Sequence, residues 1–152
     1  MAVIVERASA TDLGTLYKIE QECFTKEAWS KEQIAMFLQA PDAVSLTVKE
    51  RDEIAGFVIG LTNRHNGMKI GHIVTIDVLP NHRRKGIGMA LIGSIEQEFK
   101  RMGVKVCYLE VREGNLAAMR LYRKAGYVEF ERLENYYSRG GHGVRLEKTL
   151  LL

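Results

Sequence analysis

The stretch Val78-Leu79-Pro80-Asn81-His82-Arg83-Arg84-Lys85-Gly86-Ile87-Gly88-Met89 decides how this chain folds. Ahead of it, Ile73-Val74-Thr75-Ile76-Asp77-Val78 is apolar and β-branched and reads as a buried strand. Behind it, from about Gly86 to Met102, apolar residues recur with a helical period. A strand that turns through a proline, three cations and two glycines into a helix points several N–H groups at one place. The positive end of the helix dipole points there too, so the junction favours an anion such as a phosphorylated cofactor. Taken alone, it has a second reading as a bare turn with solvated cations.

Outward from this junction the chain alternates between strands and helices. Val3 to Glu6 is a short edge or near-edge strand, and Thr11 and Asp12 offer N-caps for a helix carrying Leu13, Leu16, Tyr17, Ile19, Glu20 and Cys23. Ser30 and Gln33 form a capping box for a second helix that stops before Pro41. Strands over 43–49, 54–62 and 69–79 make an antiparallel meander, with Gly56 and Gly60 marking close backbone approach. The helix after the glycine loop buries Ile87, Leu91, Ile95, Phe99 and Met102, sets Glu96, Gln97 and Lys100 opposite, and ends at Gly103. A strand over 104–111 follows the short crossover, so it is parallel to its neighbour. A helix from Asn115 to Ala125 and two strands, 127–136 and 144–151, complete the chain. The expectation is one α/β domain over 1–152, with a mixed, mostly antiparallel sheet of seven strands, one parallel junction and about four helices.

The totals agree with a single core. At 152 residues, 46% hydrophobic and 27% charged, the chain needs no staples, and no apolar run approaches the ~18 residues of a membrane span. A net charge of +3 is too small to imply nucleic acid. Cys23 and Cys107 form no metal or disulfide pattern, and with no basic leader at the N-terminus they suggest a reducing cytoplasm. His65, His72, His82 and His142 lack metal-ligand spacing, so no metal site is expected.

The glycine loop is neither of two familiar phosphate binders. A dinucleotide fingerprint needs a third glycine where Leu91 stands, and a P-loop needs Gly-Lys-Ser/Thr. Arg83-Arg84-Lys85-Gly86-Ile87-Gly88 instead resembles the pyrophosphate loop of the GCN5-related N-acetyltransferases (GNAT). Leu109-Glu110-Val111-Arg112-Glu113-Gly114-Asn115, followed by Leu121-Tyr122 and Gly126-Tyr127, resembles a second signature of that superfamily. The form of this signature is similar to the branch that acetylates ribosomal-protein alanine and other protein N-termini. Cys23-Phe24 with Trp29-Ser30 and Glu134-Asn135-Tyr136-Tyr137 extend the likeness along the whole chain. The turn 138–143, Ser-Arg-Gly-Gly-His-Gly, departs from it, because relatives often carry an acidic residue there.

The resemblance implies acetyl-CoA as cofactor and a protein or peptide N-terminus as acceptor. It admits a ribosomal or auxiliary partner and implies no membrane or nucleic-acid role. Main-chain groups of Ile76, Asp77 and Val78 would run beside pantetheine, and the N–H groups from Arg84 to Gly88, Ile87 included, would surround the diphosphate. Arg83, Arg84, Lys85 and Arg123 add charge or simply face water, and Asn115 bonds the pantetheine arm or only caps its helix. Glu110 shares a strand face with Tyr108 and Arg112 and is the candidate base, its alternative being an ion pair with Arg112. Tyr122 is the candidate acid, its alternative a core tyrosine. Phe24, Trp29, Tyr136 and Tyr137 are candidates for gripping the acceptor, with packing as the alternative for each. Cys107 lies on the face opposite Glu110 and is a poor nucleophile candidate. The rival acceptors are a lysine ε-amine or a small amine, and the rival outside enzymes is a CoA- or RNA-binding module.

Overall fold

The structure is a computed structural model that describes residues 3–24, 27–137 and 140–150. In chain order the elements are β1 (Ile4–Arg7), α1 (Leu13–Cys23), α2 (Lys31–Gln39), β2 (Ala43–Glu50), β3 (Glu53–His65), β4 (Met68–Val78), α3 (Ile87–Arg101), β5 (Val106–Arg112), α4 (Leu116–Lys124), β6 (Val128–Tyr137) and β7 (Gly141–Thr149). The strands form one seven-stranded sheet in the order β1-β2-β3-β4-β5-β7-β6. Among the described residues only β4 and β5 run parallel.

Local chemistry explains most of the boundaries. Arg51-Asp52 and Asn66-Gly67 take left-handed backbone angles (φ 54, 66, 52 and 78°), so two-residue turns join β2 to β3 and β3 to β4. The polar run from Asn63 therefore stays in β3 as far as His65, three residues beyond the expected end at 62. The capping box of α2 is present: Gln33 N–H donates to Ser30 Oγ at 3.1 Å and Ser30 N–H donates to Gln33 Oε1 at 2.9 Å. The first helical segment begins earlier than Thr11, because Ser9 N–H donates to Asp12 Oδ2 at 2.8 Å and a short 3₁₀ turn over Ala10–Asp12 leads into α1.

Two apolar layers sandwich the sheet. On one face, Ile87, Leu91, Ile92, Ile95 and Phe99 of α3 pack with Met119 and Tyr122 of α4. On the other, Leu16, Ile19 and Ile34 of α1 and α2 cover Phe57 and Ile59. The Phe99 ring lies so close to β3 that a Cβ on Gly60 would sit 2.5 Å from it, which is why that strand carries glycine.

Two features differ from the expectation. Glu96 is buried rather than solvated, because Lys148 Nζ and Tyr127 OH both donate to its carboxylate at 2.8 Å. That is possible because β7 inserts between β5 and β6 and carries Lys148 under α3. The second feature is a bulge in β4. Thr75 pairs with Ile59 and Ile73 with Gly60, leaving Val74 as an extra residue. The bulge shifts the side-chain phase: Ile73 packs in the α3 layer before it and Ile76 and Val78 do so after it, while Thr75 turns to meet Glu20 of α1.

A Cβ at Gly56 would lie 2.4 Å from the carbonyl oxygen of Asp77, a backbone atom that has no flexible end to move aside. Gly56→Ala is expected to cost about 1–3 kcal/mol by overpacking and to lower Tm by roughly 2–10 °C, measured by calorimetry.

Candidate active site

β4 and β5 pair at three positions only, Ile70 with Val106, Gly71 with Cys107 and His72 with Tyr108. Beyond these the two strands part, and β5 keeps β7 on its other edge through Arg112. Leu79 N–H turns toward β3, donating to Ala55 O at 2.9 Å, so by strand alternation the Val78 N–H points to the open edge. The result is a cleft between two strand edges in which the Val78 N–H is open to an extended ligand.

The N-terminus of α3 closes one end of this cleft. Gly86 caps the helix in the left-handed region (φ 82°), and Arg84 is also left-handed (φ 64°). The first helical bond is Ala90 N–H to Gly86 O, so the N–H groups of 87–89 precede it and remain to bind an anion. No atom lies within 4 Å of where a Gly86 Cβ would be, whereas Gly88 backs onto Leu121 at 3.0 Å. The first glycine keeps the anion site open and supplies its backbone angle; the second lets α4 pack on α3.

The cations around the loop are placed differently from one another. Arg83 folds back, its Nε donating to Val78 O at 2.9 Å, and Lys85 Nζ lies 3.3 Å from Glu50 Oε1, which His82 also contacts. Arg123 is ion-paired with Glu129 of β6. Arg84 is exposed and has no ion pair among the described residues. Asn115 Oδ1 accepts from Ala118 N–H at 3.1 Å, so its side chain caps α4.

Glu110 lies just past the last β4–β5 pair. Its face of β5 is the more accessible one, with Cys107, Leu109 and Val111 buried behind it. Glu110 Oε1 lies 2.6 Å from His72 Nε2, and Arg145 Nε donates to Oε2 at 2.9 Å. Burial pushes the Glu110 carboxyl up, but the hydrogen bonds and charges of His72 and Arg145 outweigh it and hold the group below the usual carboxylate range. The pairing with Arg112 considered from sequence is absent. Arg112 binds Glu27 instead, and its guanidinium sits 5.1 Å from the Tyr137 ring centre.

Sequence reasoning missed His72. Its ring stacks on Tyr108 at 4.4 Å with an interplanar angle of 3°. The signal lay in the parallel register, which sets His72 opposite Tyr108 and diagonal to Glu110.

Tyr122 is buried, its ring edge-on to Tyr127 at 6.2 Å. Burial pushes its phenol well up, with smaller contributions from Asp77 and Tyr137, and its hydroxyl bonds to no described residue. Tyr137 meets Tyr136 edge-on at 5.0 Å, and its phenol is raised by burial, by Tyr136 and by the Glu110 carboxylate. Trp29 is largely engaged in packing: its indole N–H donates to Val74 O at 3.2 Å and its ring stands edge-on to Phe37. Phe24 is half-buried and its N–H closes α1 on Glu20 O. The Ser138-Arg139 part of the last turn lies outside the described residues.

The sequence profile of the Acetyltransferase (GNAT) family matches residues 13–127. This chain belongs to that family. It is 31% identical over 140 residues to the ribosomal-protein-bS18-alanine N-acetyltransferase of Haemophilus influenzae, covering 92% of this chain and 91% of that protein. It is 30% identical over 145 residues to an N-alpha-acetyltransferase of Sulfurisphaera tokodaii, covering 90% and 86% of the two chains. The crystal structure of the Escherichia coli ribosomal-protein-S18-alanine N-acetyltransferase superposes with a TM-score of 0.85 at 26% identity, over 99% of this chain and 96% of that one. With the family come the enzyme class and the cofactor, an N-acetyltransferase that uses acetyl-CoA. The site fits that cofactor: a cluster of free N–H groups suits a diphosphate, and two unpaired strand edges suit an amide-bearing arm.

Gly86→Val would force a β-branched residue into the left-handed region and crowd the N–H cluster. It is expected to raise the Kd for CoA about tenfold, measured by titration calorimetry.

Proposed function

We propose that the acceptor is the α-amine of a protein N-terminus, with Glu110 as base and Tyr122 as donor to the leaving group. The observation that carries this reading is the clamping of Glu110 by His72 and Arg145 at the mouth of the β4–β5 cleft. A carboxylate held below its ordinary range is a weak base, so it suits an amine that is already partly neutral. At pH 7 about a tenth of α-amines are neutral, against less than roughly one in a thousand lysine ε-amines. The names of the relatives from Haemophilus influenzae and Sulfurisphaera tokodaii support the same choice.

Acetyl-CoA, once bound, supplies the thioester carbonyl that the amine attacks. The Val78 N–H, aimed at the open edge, is placed to hydrogen-bond the carbonyl oxygen as charge builds there. Glu110 accepts the proton that the nitrogen of the neutral amine sheds as its bond to the carbonyl carbon forms, and His72 and Arg145 keep that carboxylate oriented. With the cofactor bound, Tyr122 would donate a hydrogen bond to the departing sulfur, burial keeping its phenol protonated, and the proton released by the nitrogen would balance the one the thiolate takes up. The transfer runs directly from sulfur to nitrogen: the Cys107 thiol is sealed behind β5 and pushed up to about 12, and the Cys23 thiol beside the Val78 carbonyl is pushed up to about 11, so neither is a ready nucleophile. Tyr136 and Tyr137 on one side and Phe24 and Trp29 on the other are the walls this reading gives to the first residues of the acceptor.

Glu110→Gln is expected to lower kcat by about 10²–10⁴-fold with much less change in acetyl-CoA affinity, and Tyr122→Phe to slow the same step. Single-turnover kinetics beside cofactor titrations separate the two quantities. Because Glu110 stays ionised, kcat/KM should rise with pH through the acceptor's own pKa near ~8, not through a carboxylate limb. Mass spectrometry of peptide libraries tests the acceptor. Acetylation of free N-termini supports the reading, and acetylation of blocked peptides at internal lysine would overturn it.

A further inference from the structure

The mechanism leaves unused two carboxyl groups sealed in the α1 face of the sheet. Glu20 and Asp77 are each 1% exposed. Thr75 Oγ1 stands between them, 2.9 Å from Glu20 Oε1 and 2.7 Å from Asp77 Oδ1. A hydroxyl has one proton, so it donates to one of these oxygens and accepts from the other. The acceptor contact needs a carboxyl O–H, so the trio holds one acid proton. Glu20 Oε2 already accepts the Trp29 N–H at 3.0 Å, which stabilises Glu20 as the anion. Asp77 Oδ2 is buried with no partner among the described residues, a state far less costly for a neutral acid than for a carboxylate. The bonds then run one way, from Asp77 O–H to Thr75, from Thr75 O–H to Glu20, and from Trp29 N–H to Glu20.

We propose that Asp77 is a positioning residue: as a neutral acid it completes a hydrogen-bonded chain through Thr75 and Glu20 that pins Trp29, and with it the acceptor-side wall, to β4. The indole N–H of Trp29 on Val74 O is the second pin, so the segment is held at both ends of the β4 bulge. That this segment faces the acceptor rests on the function proposed above; the chain itself does not.

The groups around Asp77 fix the sign of the pH dependence. Burial raises its carboxyl and the Glu20 charge raises it further, while Thr75 and Arg83 oppose them more weakly. Cys23 of α1 (thiol pushed up to about 11) and Tyr122 of α4 (raised further still) stay neutral across the assay range. A carboxyl whose folded pKa is raised binds its proton more tightly in the native state. Its contribution to stability is therefore full below the unfolded carboxylate pKa and falls as pH climbs toward the folded value. Ionising Asp77 sets two buried anions on one hydroxyl and drives Glu20 and Trp29 off β4.

Trp29 is the sole tryptophan of the sequence, so its fluorescence reports the pinned segment directly, with no need for activity. In wild type, acrylamide quenching of Trp29 should rise about twofold between pH 6 and 9.5, with the KM for an acceptor peptide rising relative to that of Asp77→Asn at the same pH. Asp77→Asn, which keeps a donor toward Thr75 and cannot ionise, should remove the pH-dependent rise in quenching. It should also raise Tm by roughly 2–4 °C at pH 8, with the gain shrinking at pH 5. Thr75→Val should show strong quenching already at pH 6. Equal pH-dependent quenching in wild type and Asp77→Asn, or a lower Tm for Asp77→Asn at pH 8, would overturn the proposal. Were the N-terminal acceptor wrong instead, peptide turnover would fail while the quenching and melting results held.

Discussion

Everything functional in this molecule depends on two parallel strands being paired for three residues and then let go. A continued ladder would spend the edge groups of β4 and β5 on each other and leave no room between them. The Val74 bulge marks where that ladder stops, and its freed carbonyl is bonded by the Trp29 indole. The bulge also resets the phase of β4, so that Ile76 and Val78 reach the α3 core while Thr75 and Asp77 face α1. One inserted residue thus sits where β4 and β5 part and aims a polar chain at the opposite layer.

The elements themselves were legible because their signals are local. Ser30 with Gln33, the apolar stripe of α3 and the Gly103 stop each act within a few residues, and the boundaries followed them closely, whereas the turn after β3 is tighter than the expected one and lets the strand run on to His65. The parallel junction was legible too, since a strand, a glycine turn, a helix and a strand leave little topological choice. Ser9 was passed over because Thr11 and Asp12 carry equally good capping chemistry two and three residues later. The bulge left only a faint trace, two adjacent apolar residues, Ile73-Val74, where strict alternation called for one.

Long-range pairing was harder to read. Glu110 sat on the expected face with Tyr108 and Arg112, but the groups that hold its charge come from β4 and β7, 38 and 35 residues away. No pattern on β5 names them. Glu96 looked solvated for the same reason, since the lysine and tyrosine that satisfy it arrive from elements 52 and 31 residues on. The cations of the glycine loop show the same. Each was expected to add charge or face water, yet Arg83 folds onto the Val78 carbonyl and Lys85 pairs with Glu50, which lies 35 residues earlier.

The position of β7 also bears on how the enzyme is made. β7 follows every other strand in chain order, yet it lies between β5 and β6 rather than at the rim. Domains generally fold as units, and here the strand that covers one edge of β5 is the last of the seven to be synthesised. Arg145, which holds the Glu110 carboxylate, rides on that strand, as does Lys148, which neutralises buried Glu96. Until β7 pairs with β5, Glu110 lacks Arg145 and Glu96 lacks Lys148, so the last strand to be made completes both charge pairs at once.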